Sequence, residues 1–472
     1  MGERDEAARA RGAAAGGAGE APNPQRDAAL ALYRGIEDDY LRALEATGVA
    51  FAPRDEERAR ARVLRAQVEA AGGRVRNGGA SVASGFLSRA CAACTGDCVS
   101  RSFALTNNCH RDCFFCFNPN QEDFAYWCEH PFPWRRLLDE LAAEEPRPAA
   151  VALTGGEPLL MPDEAVAFFA RARELFPDAH LRLYTAGDML DRALLGRLRD
   201  AGMDEARFSV KHDDAPAALE RVLGNLALAR EVIGTVMVEM PVIPGTEGFM
   251  RDLLRRLDAM GVDGVNLLEF CYPLWNWPVY ESMGLTLRNP PFRVFFDYSY
   301  AGALAVEGSE EACLELMAWA RAEGLALGLH YCSLENKHRA QVRNVNEPHR
   351  DVDARYAFDY GDFFLKAGMV FGPDRAPVRA ALRETGCRDF LEDEAAGSTT
   401  FHPRWLAAAA AVRRPDGGLA RPCVSSSIAV AGEDGAVGLR ELKLEPLEDA
   451  APVQLDDATA PADAAAGITC WG

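Results

Sequence analysis

The sequence has no run of eighteen consecutive apolar residues, so no segment is long enough to cross a membrane as a helix. Positive charge is also scarce, because 51 Lys and Arg stand against 71 Asp and Glu, a formal net charge of -20. That field repels polyphosphate, which argues against a nucleic-acid partner. The N-terminus lacks the apolar stretch of a secretory signal. These absences predict a cytoplasmic protein that binds neither nucleic acid nor a membrane.

The chain does have ample apolar residues, at 49% of its 472 positions, which is enough for a large globular core. From Ser102 onward, short apolar runs alternate with helical segments, as in βα units around a parallel sheet. The candidate strands are SFALTN, AVALTG, HLRLYTA, ARFSV, TVMVEMPVI, GVNLLEF and LALGLHYC. We therefore predict an α/β fold with a full or partial (β/α) barrel, whose active site lies where the strands end.

Changes in composition along the chain predict five regions. Amphipathic helical patterns closed by glycine follow a charged, Gly/Ala-rich start, and the βα alternation fades near residue 344. A hairpin is expected near SSSIAVAGEDGAVGLRELKL, and the end is rich in Ala, Asp and Pro. The predicted regions are a disordered tail (1–24), a helical extension with a first cysteine group (25–100), a core barrel (101–343), a C-terminal domain (344–447) and a low-complexity tail (448–472).

Seven of the thirteen cysteines crowd into residues 91–128, which favours metal ligation over disulfides in a large cytosolic protein. The segment CHRDCFFC places Cys109, Cys113 and Cys116 just after the first predicted strand. Three thiolates suit a cubane iron-sulfur cluster whose fourth iron is left open to a small chelating molecule. A structural zinc site would need a further Cys or His. The spacing of these three cysteines leaves both an iron-sulfur cluster and a zinc site as alternatives.

The C-x3-C-x2-C spacing, with Phe115 before its last cysteine, resembles the signature of the radical S-adenosylmethionine (SAM) superfamily. After the second predicted strand, TGGEPLL looks like the GGEP motif of that family, with Gly155, Gly156 and Glu157 at its centre. Glycine lets backbone groups approach a ligand where side chains would collide. The order of the two motifs is also the one that the family requires.

The resemblance implies a [4Fe-4S] cluster held by the three cysteines and SAM bound to its open iron. It further implies that the backbone and carboxylate of GGEP hold the SAM amino group, and that Phe115 and Ser209 lie near the cofactor. A flavodoxin or ferredoxin type of donor would supply an electron. SAM would then be cleaved to a 5'-deoxyadenosyl radical that abstracts hydrogen from a peptide, protein or small metabolite.

Several polar residues at predicted strand ends are further candidates for this chemistry. Asn266 and Glu269 lie in an apolar strand, where they are costly unless they are hydrogen-bonded or face a site. Other candidates to contact SAM or to donate a proton or hydrogen atom are Ser209, Lys211, His330, Cys332 and Lys337. Buried structural roles fit these residues equally well.

A second thiol group, CAACTGDC, places Cys91, Cys94 and Cys98 upstream of the first predicted strand. Zinc, an auxiliary iron-sulfur cluster and plain thiols all remain open. The arrangement resembles an uncharacterised branch related to pyruvate formate-lyase activating enzymes. The N-terminal helical extension and the C-terminal domain exceed what a minimal activating enzyme needs, which favours a substrate-specific modification. The alternatives are a zinc-binding scaffold or interaction protein and a family member that keeps the cluster without catalysis.

Overall fold

The computed structural model describes residues 22–55, 58–95, 100–144, 147–292, 303–432 and 436–455. The chain divides into two compact units. The described parts of the first unit lie within residues 44–341, and those of the second within residues 22–43 and 342–455. The stretch predicted as one helical extension is therefore divided at residue 43, because its first helix packs with the C-terminal unit.

The first unit is built on a nine-stranded sheet in the order β1-β2-β11-β8-β7-β6-β5-β4-β3. Strands β3 to β8 and β11 are all parallel, β2 pairs antiparallel with β11, and β1 pairs antiparallel with β2. In the described residues no ladder joins β3 to β1, so the predicted partial (β/α) barrel is confirmed. The strands are β1 (Arg74–Arg76), β2 (Ser81–Ser84), β3 (Ser100–Ala104), β4 (Ala150–Thr154), β5 (His180–Thr185), β6 (Glu205–Phe208), β7 (Thr235–Val242), β8 (Gly264–Glu269) and β11 (Gly328–Cys332), with β9 (Cys271–Tyr272) and β10 (Leu304–Ala305) forming a separate pair.

Helices follow most of these strands because the intervening sequence has an apolar stripe at helical spacing. Their buried side chains, among them Phe168 and Phe169, form the core with strand residues such as Leu153 and Leu183. Within the described residues of both units the α-helices are α1 (Pro24–Glu45), α2 (Ala59–Ala70), α3 (Arg89–Thr95), α4 (Phe124–Glu129), α5 (Trp134–Ala142), α6 (Pro162–Leu175), α7 (Arg192–Asp200), α8 (Pro216–Val232), α9 (Glu247–Ala259), α10 (Trp277–Ser282), α11 (Ser309–Ala322), α12 (Leu334–Asn346), α13 (Arg375–Glu384) and α14 (Leu406–Ala410).

One part of the sheet was not predicted. The stretch NGGASVASG has the composition of a linker, yet its SVAS segment is strand β2, which pairs with β11 from Leu329 opposite Ser84 to Cys332 opposite Ser81. All four β2 residues are buried, because a strand of small side chains fits between β1 and β11. Small residues carry little hydrophobic periodicity, so the pattern gave no strand signal.

The second unit contains an antiparallel sheet in the order β14-β15-β13-β16-β17, with β12 beside β13. The predicted hairpin corresponds to the β16–β17 pair. Leu447, Ala450 and Val453 pack against the core of this unit, so the tail predicted from residue 448 is packed as far as 455. The strands are β12 (Ala357–Phe358), β13 (Leu365–Phe371), β14 (Leu391–Asp393), β15 (Ser398–Phe401), β16 (Cys423–Ala431) and β17 (Val437–Pro446).

The predicted tail at 1–24 falls outside the described residues as far as 21, as does the tail at 448–472 beyond 455. None of the helices in the described ranges combines the length and the hydropathy that a membrane crossing demands.

Candidate functional site

The loop that follows β3, which we call the cysteine loop (residues 105–120), carries Cys109, Cys113 and Cys116. The Cys109 thiol is exposed and accepts a hydrogen bond from the Arg111 N–H at 3.4 Å, whereas the other two thiols are half-buried. Burial raises the pKa of Cys113 to about 11 and raises the pKa of the other two thiols as well. The Lys211 ammonium acts on all three thiols in the opposite sense.

The GGEP segment packs directly on the cysteine loop. The Gly156 N–H donates to the Thr106 carbonyl at 2.9 Å, and the Glu157 N–H donates to the Asn108 carbonyl at 2.8 Å. A Cβ on Gly156 would lie 2.0 Å from the Asn108 oxygen. Gly155 has a φ of +106°, and a Cβ there would lie 2.7 Å from the Thr106 carbonyl oxygen. The two glycines therefore allow one loop to approach the other, and the predicted approach of their backbone to a ligand stays a prediction.

The Glu157 carboxylate is buried and is engaged by donors of the chain itself. It accepts hydrogen bonds from the Leu159 N–H at 3.0 Å, the Thr185 hydroxyl at 2.9 Å and the Ala186 N–H at 2.7 Å. Burial raises its pKa, although these hydrogen bonds oppose the shift. The carboxylate thus ties the GGEP segment to the end of β5, and the contact with SAM that the motif predicts for Glu157 stays a prediction.

The remaining predicted cofactor residues also lie at this end of the sheet. Ser209 follows β6 and accepts a hydrogen bond from the Lys211 ammonium at 3.2 Å, and that lysine is buried beside the cysteine loop. Phe115 makes edge-to-face contacts with Phe114 and Phe270, at ring-centroid distances of 5.1 and 6.1 Å. The structure therefore brings Ser209 near the thiols and places Phe115 in an aromatic cluster.

Two anchors of the cysteine loop were missed from the sequence. The Trp275 indole donates to the Cys116 carbonyl at 2.9 Å, and the Asn276 amide donates to the Phe114 carbonyl at 2.7 Å. Asn276 has a positive φ of 54°, a conformation in which asparagine is enriched. The polar and aromatic segment WNW between two apolar stretches was the only available signal, because these contacts span about 160 residues.

A buried polar network lies on the face of the sheet that carries Glu205, Arg207 and Glu239. We call this side of the sheet the inner face. The Arg207 guanidinium pairs with Glu205 and, at 2.6 Å, with Glu239. It also donates to the Cys91 thiol of α3 at 3.1 Å. Burial opposes ionisation of this thiol, but Arg207 and His330 outweigh it and lower the pKa of Cys91 to about 6. Charged residues alternating with apolar ones in β5 and β6 were the signal for this network.

Asn266 and His330, both predicted candidates, belong to the same network. The Asn266 amide donates to Glu239 at 2.7 Å and to the Cys91 thiol at 3.3 Å. A ring nitrogen of His330 lies 3.0 Å from the Asn266 side-chain oxygen, and the other lies 2.8 Å from the Ser81 hydroxyl. These two residues therefore surround the first cysteine group rather than the cysteine loop.

Glu269, which we expected to be hydrogen-bonded or to face a site, has hydrogen-bonding partners within the chain. Its carboxylate pairs with Arg288 and accepts the Leu334 N–H at 2.8 Å, at the start of α12. The Cys332 thiol accepts a hydrogen bond from Asn336 at 3.3 Å. The Lys337 charge acts on Cys332 and on Cys94.

Cys98 lies outside the described residues. Within the described ranges, no group of three or more His, Cys, Asp and Glu side chains is arranged to hold a single metal ion.

Comparison with known proteins agrees with the two motifs. Residues 103–267, which run from β3 into β8, match the family model of the radical SAM superfamily. Residues 103–267 therefore form a radical SAM domain. The matched region contains the cysteine loop, the GGEP segment and six of the seven parallel strands.

Two curated relatives share this region. Over 255 residues the chain is 27% identical to a protein of Methanocaldococcus jannaschii named "Putative glycyl-radical enzyme activating enzyme", covering 51% of this chain and 62% of that protein. Over 173 residues it is 33% identical to the PqqA peptide cyclase of Granulibacter bethesdensis, covering 35% and 44%. The chain thus spans less than two thirds of the length of either relative.

Solved structures of radical SAM proteins also resemble parts of the fold. SuiB of Streptococcus suis bound to S-adenosylmethionine gives a TM-score of 0.31 at 16% identity, over 36% of this chain and 40% of that chain. Methylornithine synthase gives a TM-score of 0.32 at 17% identity, over 50% and 64%.

Proposed function

We propose that this chain is an iron-sulfur enzyme that cleaves SAM reductively and uses the resulting radical to remove a hydrogen atom from a substrate. The observation that carries this proposal is the fixed contact between the loop of three thiols and the GGEP segment at the C-terminal edge of the parallel sheet. The radical SAM family match supports it. In this proposal Cys109, Cys113 and Cys116 hold the [4Fe-4S] cluster.

The residues around the thiols fit such a cluster. A backbone N–H donates to the Cys109 sulfur, and the Lys211 charge favours the anionic thiolates that a cluster needs. The Asn107 side chain is buried, and neither its amide nitrogen nor its oxygen has a hydrogen-bond partner in the part of the chain that the structure describes. A buried amide left unsatisfied next to the thiols is expected where a further group is to be bound.

The chemistry that the cluster and SAM supply when bound is reductive cleavage of the cofactor to a 5'-deoxyadenosyl radical. The role of the protein is to bind the cluster and SAM and to position them. Gly155 and Gly156 keep the two loops in contact, Glu157 fixes the segment between them and β5, and Ser209 orients Lys211. Phe115 contributes to the aromatic wall that excludes water from this edge. An external one-electron donor of the flavodoxin or ferredoxin type would complete the reaction.

The relatives support a peptide or protein substrate, since one is named as an activating enzyme and the other as a peptide cyclase. A substrate-specific modification remains our preference. The chain carries a second unit beyond the barrel, which an activase of minimal type would not need.

Anaerobic reconstitution with iron and sulfide tests the proposal, with metal counting, a visible spectrum and an assay for 5'-deoxyadenosine after addition of SAM and reductant. We expect a brown protein that forms 5'-deoxyadenosine, and loss of both properties in the Cys109→Ala, Cys113→Ala and Cys116→Ala variants. Cys128→Ala, a half-buried thiol on α4, is the matched control and should retain both. A colourless protein that binds zinc alone would contradict the proposal.

A further inference from the structure

The inner face of β5 carries a buried cation that lacks an acceptor. Leu181 and Leu183 lie in the main hydrophobic core, so strand alternation places Arg182 and Tyr184 on the opposite face. Arg182 is 5% exposed, and its Nε has no hydrogen-bond partner. Among the residues that the structure describes, no carboxylate lies within salt-bridge distance of its guanidinium. Burying such a group without an acceptor is costly, so a partner is expected.

The neighbours of Arg182 supply no carboxylate at salt-bridge distance among the described residues. The charged or titratable groups that act on it are Tyr184, Arg207, Cys91, Cys94 and, from beyond salt-bridge distance, Glu239. The Tyr184 ring lies 5.2 Å from the guanidinium, measured to the ring centre. The Cys91 thiol already accepts hydrogen bonds from Arg207 and an amide. Arg207 differs from Arg182 in having two carboxylate partners of its own.

Arg182 lies below the C-terminal edge of the sheet, where the cysteine loop and the GGEP segment meet. Tyr184, two residues nearer to that edge on the same face, is half-buried, and Cys94 is exposed. Thr185, which donates to Glu157 of the GGEP segment, follows Arg182 by three residues in the same strand. At about 3.3 Å per strand residue, Arg182 lies roughly 10 Å below that edge.

Building on the function proposed above, we propose that the substrate carries a carboxylate that Arg182 binds on the inner face of β5. A guanidinium presents several N–H donors in one plane, and a carboxylate matches them with two oxygens. The roughly 10 Å interval leaves room for a short carbon chain between the carboxylate and the carbon that loses its hydrogen. A compact free carboxylate and an acidic side chain of a peptide both have this chemistry.

A competing anion site lies at the opposite end of the same strands. A surface cavity of about 670 Å³ is lined by Arg89, Arg173 and Arg199, together with residues that immediately precede β5 and β6. Arg173 is fully engaged with backbone carbonyls and Asp204. Arg199→Met therefore serves as the matched control for Arg182→Met.

The test is calorimetric titration of the reconstituted protein with three probes. These are glutarate, the end-blocked peptide N-acetyl-Gly-Glu-Gly-amide, and inorganic phosphate. We expect at least one carboxylate to bind, at least tenfold tighter than phosphate. Arg182→Met should weaken that binding at least tenfold, and Arg199→Met should leave it unchanged. The thermal midpoint of Arg182→Met should not fall, because this arginine has no acceptor to lose among the described residues.

Each outcome decides the proposal. Binding of glutarate alone indicates a free carboxylate substrate, binding of the peptide alone indicates an acidic side chain, and both support the role of Arg182. The proposal would be overturned if neither carboxylate probe binds or if phosphate binds more tightly. It would also be overturned if Arg182→Met binds the carboxylate as tightly as the wild type, or if its thermal midpoint is lowered. The cluster spectrum and 5'-deoxyadenosine formation of the wild-type protein report separately on the proposed function.

Discussion

Gly156 offers a sharp test of whether contact between the two loops matters for function. Its φ is not positive, so alanine can adopt the backbone, and the penalty of Gly156→Ala is purely steric. The new Cβ would lie 2.0 Å from the Asn108 oxygen and 2.6 Å from the Asn107 carbonyl, both of which are backbone atoms. Overpacking of this kind costs about 1–3 kcal/mol. Loss of the two inter-loop hydrogen bonds adds about 1 kcal/mol each.

We expect Gly156→Ala to lose about 3–5 kcal/mol of the free energy of unfolding. The same shift separates the loops, so 5'-deoxyadenosine formation should fall at least tenfold. Urea unfolding and product assay of the reconstituted protein measure the two effects. Gly196→Ala in α7, where a Cβ meets nothing within 4 Å, is the control and should gain about 0.5–1 kcal/mol. Wild-type activity in Gly156→Ala would refute the reasoning.

Three further predictions concern buried contacts. Glu205→Gln should cost about 1–3 kcal/mol in urea unfolding, because it removes one of the two carboxylates that pair with buried Arg207. Burial raises the pKa of Glu205 in the folded protein, but Arg207 outweighs this effect and lowers that pKa. The stabilisation by the ionised Glu205 carboxylate is therefore present above its unfolded pKa of about 4.3, and it is lost as the pH falls from there toward the lower folded pKa. In iron-free protein, thiolate absorbance assigned to Cys91 should titrate near pH 6. Trp275→Phe should speed cluster loss to a chelator, since it removes a hydrogen bond worth about 1 kcal/mol to the cysteine loop.

Each of these predictions has a control in the same chain. Between pH 5 and 3 the wild-type protein should lose more stability than Glu205→Gln, and Glu220→Gln, at an exposed ion pair, should behave as wild type. The titration near pH 6 should vanish in Cys91→Ser and persist in Cys423→Ser, because burial raises the pKa of Cys423 to about 11. The control for Trp275→Phe is Trp134→Phe, which removes an indole hydrogen bond to Glu164 away from the cysteine loop. Equal rates of cluster loss in these two variants would contradict the role of Trp275.

Much of the fold was predictable because its signals are local. Strands buried on both faces leave continuous apolar runs, and all seven predicted strands of the parallel sheet are present in the predicted order. β2 was missed because four small residues carry no periodicity, and its identity as a strand depends on pairing with β11 almost 250 residues away.

The sequence by itself determined the order of the cysteine loop and the GGEP segment, since each is a short pattern of residue types with fixed spacing. Only the tertiary structure decided what Gly156, Glu157 and Glu269 do. Their partners come from other loops and strands, and neither spacing nor composition reveals which backbone a Cβ would strike. The same holds for Arg182 and Arg207. Both are arginines in apolar strands, and only the contacts across the sheet show that one has two carboxylate partners while the other has none among the described residues.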